Sequence, residues 1–124
     1  MAGHHYLVDL RGCDSSRIND LSIIDSALRR IAELTGAEVL GRAQHKFEPQ
    51  GVTLVLVVSA SHFAFHSWPE HRYAAVDLFF CEGRSDVDVL IDSLREAFAA
   101  EETSVTLTER NPVLPKTMGL HSGS

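Results

Sequence analysis

Three strand-type segments follow one another between residues 52 and 81, with only short polar stretches between them. The first, "VTLVLVVSA", is a continuous β-branched run, which is typical of a strand buried on both faces. "SHFAFHSW" and "YAAVDLFFC" continue the pattern, and the polar cluster around Pro69 predicts the turn between them. Because these strands are adjacent in sequence, they favour an antiparallel sheet.

Two segments with helical periodicity flank these strands. Between Asn19 and Thr35, apolar residues recur at the spacing of one helical face, and Gly36 is a suitable helix stop. Ser85 is the predicted N-cap of a second helix, with Asp88 in the capping-box position. We therefore expect one helix before the strand run and one after it.

Three further strands are predicted at residues 5–10, at residues 37–47 and in "TSVTLT". The resulting order, β-α-β-β-β-β-α-β, predicts an α+β fold in which both helices cover one face of an antiparallel sheet. Since two helices cannot cover both faces, a second copy stacked sheet to sheet is expected, giving a homodimeric α/β/β/α sandwich. We expect a single domain over residues 1–110 and a flexible tail over residues 111–124.

Charge and composition argue against several classes of function. The net charge of −6 disfavours a nucleic-acid partner and is compatible with a small cationic ligand. The sequence contains no apolar run near the roughly 18 residues of a membrane span, and its first ten residues do not resemble a signal peptide. With Cys13 and Cys81 as the only cysteines, we expect reduced thiols and a cytoplasmic protein.

The histidines of the second strand segment raise the question of a metal site. His62 and His66 share a strand face, but four residues of strand separate them by about 13 Å, too far for one zinc ion. The sequence also has no Cys-x-x-Cys or His-Glu-x-x-His spacing. We therefore expect no bound metal.

Two other interpretations of the polar residues stay open at this point. A buried serine or histidine is more often a hydrogen-bonded structural residue than a reactive one, so a core strand with tolerated polar residues is possible. A serine hydrolase has less support, because Ser61 is not in a Gly-x-Ser-x-Gly elbow. Ser61 and His66 would also face apart on a flat strand, so they could meet only across a turn or bulge.

The stretch "SASHFAFHSWPEHRYAAVDLFFCEG" resembles the core signature of the small bacterial and archaeal S-adenosylmethionine decarboxylases. That signature contains Glu-Ser-His, then His-[Thr/Ser]-Trp-Pro-Glu, then Tyr-Ala-Ala-x-Asp-x-Phe-x-Cys-x-Gly. The segments "HKFEPQGVT" and "HHYLVDLRGC" are also similar to the family, and the resemblance extends to about Arg110. It implies an α+β sandwich that dimerises through its sheets.

The resemblance further implies a chain that cleaves itself. In the family, a serine attacks the carbonyl of the preceding residue, and elimination then leaves two chains and an N-terminal pyruvoyl group. Here the cleavage would fall between Ala60 and Ser61 and give chains 1–60 and 61–124. His66 matches the residue that deprotonates the intermediate, and Thr53 matches the hydroxyl used in processing. The opposite orientations of Ser61 and His66 would then require a bend at the cleavage site.

The implied chemistry after cleavage is decarboxylation. The pyruvoyl ketone forms a Schiff base with the substrate amine and accepts the electron pair left by departing CO₂, so neither PLP nor a metal is expected. Cys81 matches the family's proton donor, and Phe47 matches an aromatic residue that stacks on adenine. Glu70 matches an acidic residue near the substrate. The product would be the aminopropyl donor for spermidine biosynthesis.

The sequence departs from the family pattern at two positions. Ala60 replaces the usual glutamate before the cleavage serine, and Leu54 stands where glycine is frequent. These departures leave two alternatives to S-adenosylmethionine decarboxylase. One is a pyruvoyl-dependent arginine or ornithine decarboxylase on the same scaffold, and the other is a non-processing, non-catalytic paralogue.

Overall fold

The computed structural model describes residues 3–81 and 86–113 of the chain. Its elements, in chain order, are β1 (Gly3–Arg11), α1 (Leu21–Thr35), β2 (Val39–Lys46), β3 (Val52–Val58), β4 (Ser61–Trp68), β5 (Tyr73–Cys81), α2 (Val87–Phe98) and β6 (Glu102–Arg110). Short 3₁₀ turns occupy Arg17–Asn19 and Pro69–His71. The predicted element order and the turn after β4 are therefore confirmed.

The strands form one six-stranded sheet in the order β2-β3-β4-β5-β1-β6. All five neighbouring pairs are antiparallel. Strands β2 to β5 follow one another through short connections, whereas β1 is inserted between β5 and β6. The predicted α+β class with an antiparallel sheet is confirmed.

Both helices pack on one side of the sheet, which we call the covered face. The covered face and the two helices share a single hydrophobic core. Its largest fully buried side chains include Leu10 of β1, Leu54 and Leu56 of β3, Phe63 and Phe65 of β4, Leu78 of β5, Ile24, Leu28 and Ile31 of α1, and Leu90 and Phe98 of α2. Alternate residues of each strand point to the opposite side, which we call the open face.

Gly36, the predicted stop of the first helix, is confirmed, whereas the predicted N-cap of the second helix is not. Asp20 caps α1 by accepting hydrogen bonds from backbone N–H groups, and Gly36 ends it in the left-handed region with φ of 75°. The cap of α2 is Asp86, whose carboxylate accepts from the N–H of Asp88 at 2.9 Å. The predicted N-cap, Ser85, was therefore one residue too early, and it lies outside the described residues.

The expectation that β3 is buried on both faces is wrong within one chain. Val52, Leu54, Leu56 and Val58 are buried on the covered face, whereas Val57 on the open face is 49% exposed. The physical reason is that two helices cover only one face of a six-stranded sheet. The tail prediction falls mostly on residues 114–124, which lie outside the described part of the chain.

A search of the helices within residues 3–81 and 86–113 finds none that is long and apolar enough to cross a membrane.

Candidate active site

The predicted cleavage bond lies at a tight turn between β3 and β4. Val58 pairs with Ser61, so Ser59 and Ala60 form the connection. Ala60 has φ of 67°, in the left-handed region that non-glycine residues adopt at a cost of about 1 kcal/mol or more. The bend expected at the cleavage site is therefore present immediately before Ser61.

The hydroxyl of Ser61 is held against the neighbouring strand β5. It donates a hydrogen bond to the backbone carbonyl oxygen of Phe79. The register of β4 and β5 pairs His62 with Phe79, and continuing it by two residues puts Ala60 opposite Cys81. Adjacent strands lie about 4.8 Å apart, so the predicted proton donor and the predicted cleavage bond meet at one end of the sheet.

A histidine–threonine pair lies on the open face near the other end of β4. Thr53 and His66 are direct partners in the β3–β4 register, and Oγ1 of Thr53 lies 2.5 Å from Nδ1 of His66. The His66 ring also contacts two aromatic rings edge to face, with centroid distances of 4.2 Å to Trp68 and 5.6 Å to Phe47. These contacts define the position of the imidazole on three sides.

The two remaining predicted binding residues lie at the same end as His66. Phe47 directly follows β2, is 40% exposed and contacts both His45 and His66 with its ring. Glu70 is exposed in the 3₁₀ turn that links β4 to β5. We call Phe47, Thr53, His66 and Glu70 the histidine-end group.

Within one chain, the histidine-end group is far from Ala60, Ser61 and Cys81, which we call the cleavage-end group. β4 pairs regularly with both neighbours from His62 to His66, so nothing folds the strand back between Ser61 and His66. Five residues of strand separate these two side chains by about 17 Å, and they point to opposite faces. We had expected a bend at the cleavage site to bring Ser61 close to His66. The bend at Ala60 is present, but it does not bring these two residues of one chain together.

One cluster of residues next to His66 was missed in the sequence. Trp68 stacks on Tyr73, and the Tyr73 hydroxyl donates to the carboxylate of Asp9. Burial, followed by this hydrogen bond, raises the pKa of Tyr73 to about 12. Arg11, Trp68, His71 and Tyr73 line an open pocket of about 450 Å³. Two signals were available: Trp68 lies two residues after His66, which places both on one strand face, and Trp68 and Tyr73 both stand within the family signature.

The middle of the open face carries a second polar contact. The Nε2 atom of His5 is buried and makes no hydrogen bond within the described residues, and it lies 4.0 Å from the carboxylate of Asp77. Across the described residues, no group of three or more histidine, cysteine, aspartate or glutamate side chains could hold a metal ion.

Leu54 does not belong to the site. It is fully buried on the covered face, where it packs in the core beneath the helices. Its neighbour Thr53 is the residue that reaches the open face. This departure from the family pattern therefore concerns packing and leaves the histidine-end group untouched.

Comparison with known proteins gives a consistent result. The family model described as S-adenosylmethionine decarboxylase matches residues 4–111. The S-adenosylmethionine decarboxylase proenzyme 2 of Halalkalibacterium halodurans is 41% identical over 117 residues, which span 94% of this chain and 87% of that protein. The proenzyme of Acetivibrio thermocellus is 41% identical over 108 residues, 87% of each chain.

A solved structure supports the same assignment at the level of the fold. The crystal structure of the adenosylmethionine decarboxylase from Aquifex aeolicus superposes with a TM-score of 0.79 at 26% identity and covers 98% of this chain and 97% of that one. The relatives carry the decarboxylase name and none of these names points to arginine or ornithine. The chain therefore belongs to the S-adenosylmethionine decarboxylase family, a family of pyruvoyl-dependent carboxy-lyases, as the resemblance had implied.

Proposed function

We propose that this chain cleaves itself between Ala60 and Ser61 and, as a homodimer, decarboxylates S-adenosylmethionine with the pyruvoyl group formed at Ser61. The observation that carries the proposal is the position of the cleavage bond. It lies in a turn whose left-handed residue precedes a fixed serine hydroxyl, with Cys81 on the adjacent strand. These residues fit a pyruvoyl group that the chain makes from its own Ser61.

The self-cleavage step follows from the chemistry of the turn. The Ser61 oxygen attacks the carbonyl carbon of Ala60 and converts the peptide bond to an ester. Loss of the proton on the Ser61 α-carbon then expels the Ala60 carboxylate and leaves a dehydroalanine. This tautomerises to an imine, and water hydrolyses the imine to the pyruvoyl ketone with release of ammonia. Because the attacked carbonyl belongs to the backbone, alanine in place of glutamate at position 60 does not prevent either step.

A base is needed for the second step, and we assign it to His66. When Nδ1–H of His66 donates to Thr53, the lone pair on Nε2 is free to accept a proton. Thr53 thereby fixes the ring orientation, and its hydroxyl can accept from Nδ1–H in the tautomer that leaves Nε2 unprotonated. Since His66 lies about 17 Å from Ser61 of its own chain, it must act on the Ser61 of a second copy.

A sheet-to-sheet dimer satisfies that requirement in one arrangement. If a two-fold axis lies between the two open faces and runs across the strands, strand directions reverse between copies. The cleavage-end group of one copy then faces the histidine-end group of the other. An axis along the strands would bring like ends together and leave both sites incomplete. The exposed apolar residues Leu7 and Val57 would be covered in either case.

The histidine-end group also offers features that suit the substrate. The Phe47 ring is 40% exposed and can stack on an adenine ring. The Glu70 carboxylate can attract the positive charge of a sulfonium compound. The pyruvoyl carbonyl would supply the electron acceptor for decarboxylation, and Cys81 would return a proton to the reacting carbon.

Denaturing mass spectrometry of the purified protein tests self-cleavage directly. We expect fragments that correspond to residues 1–60 and 61–124, the second carrying a pyruvoyl group in place of its first amine. An intact chain, both fresh and aged, would instead favour the non-catalytic paralogue. CO₂ release measured side by side with S-adenosylmethionine, arginine and ornithine tests the substrate, and release from S-adenosylmethionine alone is expected.

Mixed dimers test the assignment of His66 to the partner's cleavage bond. Neither Ser61→Ala nor His66→Ala chains should be cut alone. When the two are refolded together, the His66→Ala chain should be cut, because its Ser61 is intact and His66 comes from the other copy. The Ser61→Ala chain should stay whole. Failure of the mixture to cleave, with both variants folded and dimeric, would contradict the shared site.

A further inference from the structure

We propose that Trp68, held in place by the Asp9–Tyr73 pair, is a positioning residue that fixes the His66 imidazole for self-cleavage. The inference rests on the proposed function, because it takes the role of His66 in cleavage from there. It assigns a role to three residues outside the histidine-end group.

The Trp68 side chain contacts the His66 ring directly. The two residues are separated by one position on β4, so both side chains project from the open face. Their ring centroids are 4.2 Å apart with planes at 73°, an edge-to-face arrangement at close range. Thr53 holds Nδ1 from the neighbouring strand, so Trp68 limits the rotation that would break this hydrogen bond.

Trp68 is in turn held by the ring of Tyr73. It is 37% exposed, so burial in the core does not fix its orientation. Its partner across the β4–β5 register is Tyr73, whose ring stacks on it at 5.1 Å with planes 20° apart. An exposed tryptophan therefore takes its orientation from this one stacked ring.

Tyr73 is held by two residues of β1, Asp9 and Arg11. Its hydroxyl donates to the Asp9 carboxylate on β1, and the Arg11 guanidinium lies 5.4 Å from its ring centroid. Because the pKa of Tyr73 is raised to about 12, chiefly by burial, the hydroxyl stays a donor throughout the neutral range. Three adjacent strands, β1, β5 and β4, thus supply one continuous support that ends at His66.

The chemistry explains why such a support matters. A base displaced by about 1 Å can lose on the order of a hundredfold in rate, because proton transfer requires near-ideal geometry. The histidine side chain has two rotatable bonds, χ1 and χ2. A single hydrogen bond at Nδ1 does not fix both of these torsion angles. Trp68 restricts this remaining freedom.

The test measures cleavage of freshly refolded chains in Trp68→Ala and Trp68→Phe. We expect Trp68→Ala to cleave about tenfold more slowly and Trp68→Phe to keep most of the rate, because a phenyl ring preserves part of the edge contact. Tyr73→Phe, which keeps the stack but loses the bond to Asp9, should give a smaller slowing. Tyr6→Phe is the matched control, since Tyr6 stacks on Phe80 away from this cluster.

A chemical trap separates positioning from loss of structure. Hydroxylamine cleaves an ester, so chains halted after ester formation yield residues 61–124 with an unmodified serine at the start. If Trp68 acts through His66, Trp68→Ala should accumulate this ester, as His66→Ala should. A variant that merely folds poorly would not form it, and Trp68→Phe covers the case in which alanine prevents folding.

The contact itself can be read from fluorescence, because Trp68 is the only tryptophan in the chain. Because the His66 ring centroid lies 4.2 Å from that of Trp68, His66→Ala should change Trp68 emission, whereas the Tyr6→Phe control should not. Cleavage of Trp68→Ala within twofold of wild type, or slowing without ester accumulation, overturns the inference. An uncut wild-type chain, or a His66→Ala variant that cleaves normally, would instead overturn the proposed function.

Discussion

Thr53 and His66 face each other across the β3–β4 pair, with Oγ1 of one 2.5 Å from Nδ1 of the other, yet both are remote from Ser61 of their own chain. The pair is assembled by strand register, since the two residues lie thirteen positions apart in sequence. The relationship makes processing sensitive to substitutions on a strand that does not contain the cleavage bond.

Removing the Thr53 hydroxyl should slow self-cleavage without unfolding the chain. A single hydrogen bond contributes about 1 kcal/mol, so Thr53→Ala should cleave roughly fivefold more slowly. Thr53→Ser keeps the hydroxyl and should stay near the wild-type rate. Densitometry of intact and cut chains over time gives both rates. Equal rates for the alanine and serine variants would show that the methyl group, rather than the hydroxyl, matters at this position.

Cys81 should separate processing from turnover. Because Cys81 is assigned a role only in protonating the product, Cys81→Ala should cleave at the wild-type rate and then lose about a hundredfold or more in kcat. The measurement pairs mass spectrometry of the chains with CO₂ release. A variant that remains uncut would place Cys81 in processing, and a variant with full activity would remove it from the mechanism.

Leu54 should affect stability and leave function unchanged. It is fully buried on the covered face, so Leu54→Ala should lower the free energy of unfolding by about 3 kcal/mol. Leu40, which is 61% exposed on β2, provides the control, and Leu40→Ala should change stability by less than about 0.5 kcal/mol. Urea denaturation of both variants gives the two values. The cleavage rate of Leu54→Ala, measured without urea where the variant is folded, should equal that of the wild type. A different rate would contradict a role restricted to packing.

Cys13 should behave as an inert thiol whose ionisation opposes folding. Burial raises its pKa from 9.0 to about 11, and the nearby Arg72 offsets only part of that rise. Because the folded-state pKa lies above the unfolded value, the folded state favours the neutral thiol. Its contribution is complete below pH 9 and is lost as the pH rises towards 11.

Two measurements check this expectation. In a Cys81→Ala background, iodoacetamide should modify Cys13 at pH 8 only as fast as the chain unfolds. Between pH 9 and 11 the unfolding free energy should fall more steeply for this chain than for a matched chain that also carries Cys13→Ala. Rapid alkylation of the folded protein at pH 8 would be inconsistent with burial of the thiol.

Much of the fold followed from local patterns. The apolar spacing between Asn19 and Thr35 predicted α1, and Gly36 ends that helix in the left-handed conformation that glycine favours. The alternation in the strand segments predicted which side chains share a face, including His62 and His66. The cap of α2 was misplaced by one residue, because Ser85 and Asp86 are adjacent and both are good cap residues.

The sequence by itself determined the elements, their order and the family signature, because these depend on periodicity and on residues near one another in the chain. Only the tertiary structure decided that β1 lies between β5 and β6, which brings Asp9 to Tyr73. It likewise decided that Ser61 and His66 lie at opposite ends of one straight strand. Such relationships depend on the pairing of distant strands, and the pairing is fixed by which faces are buried together rather than by any local motif.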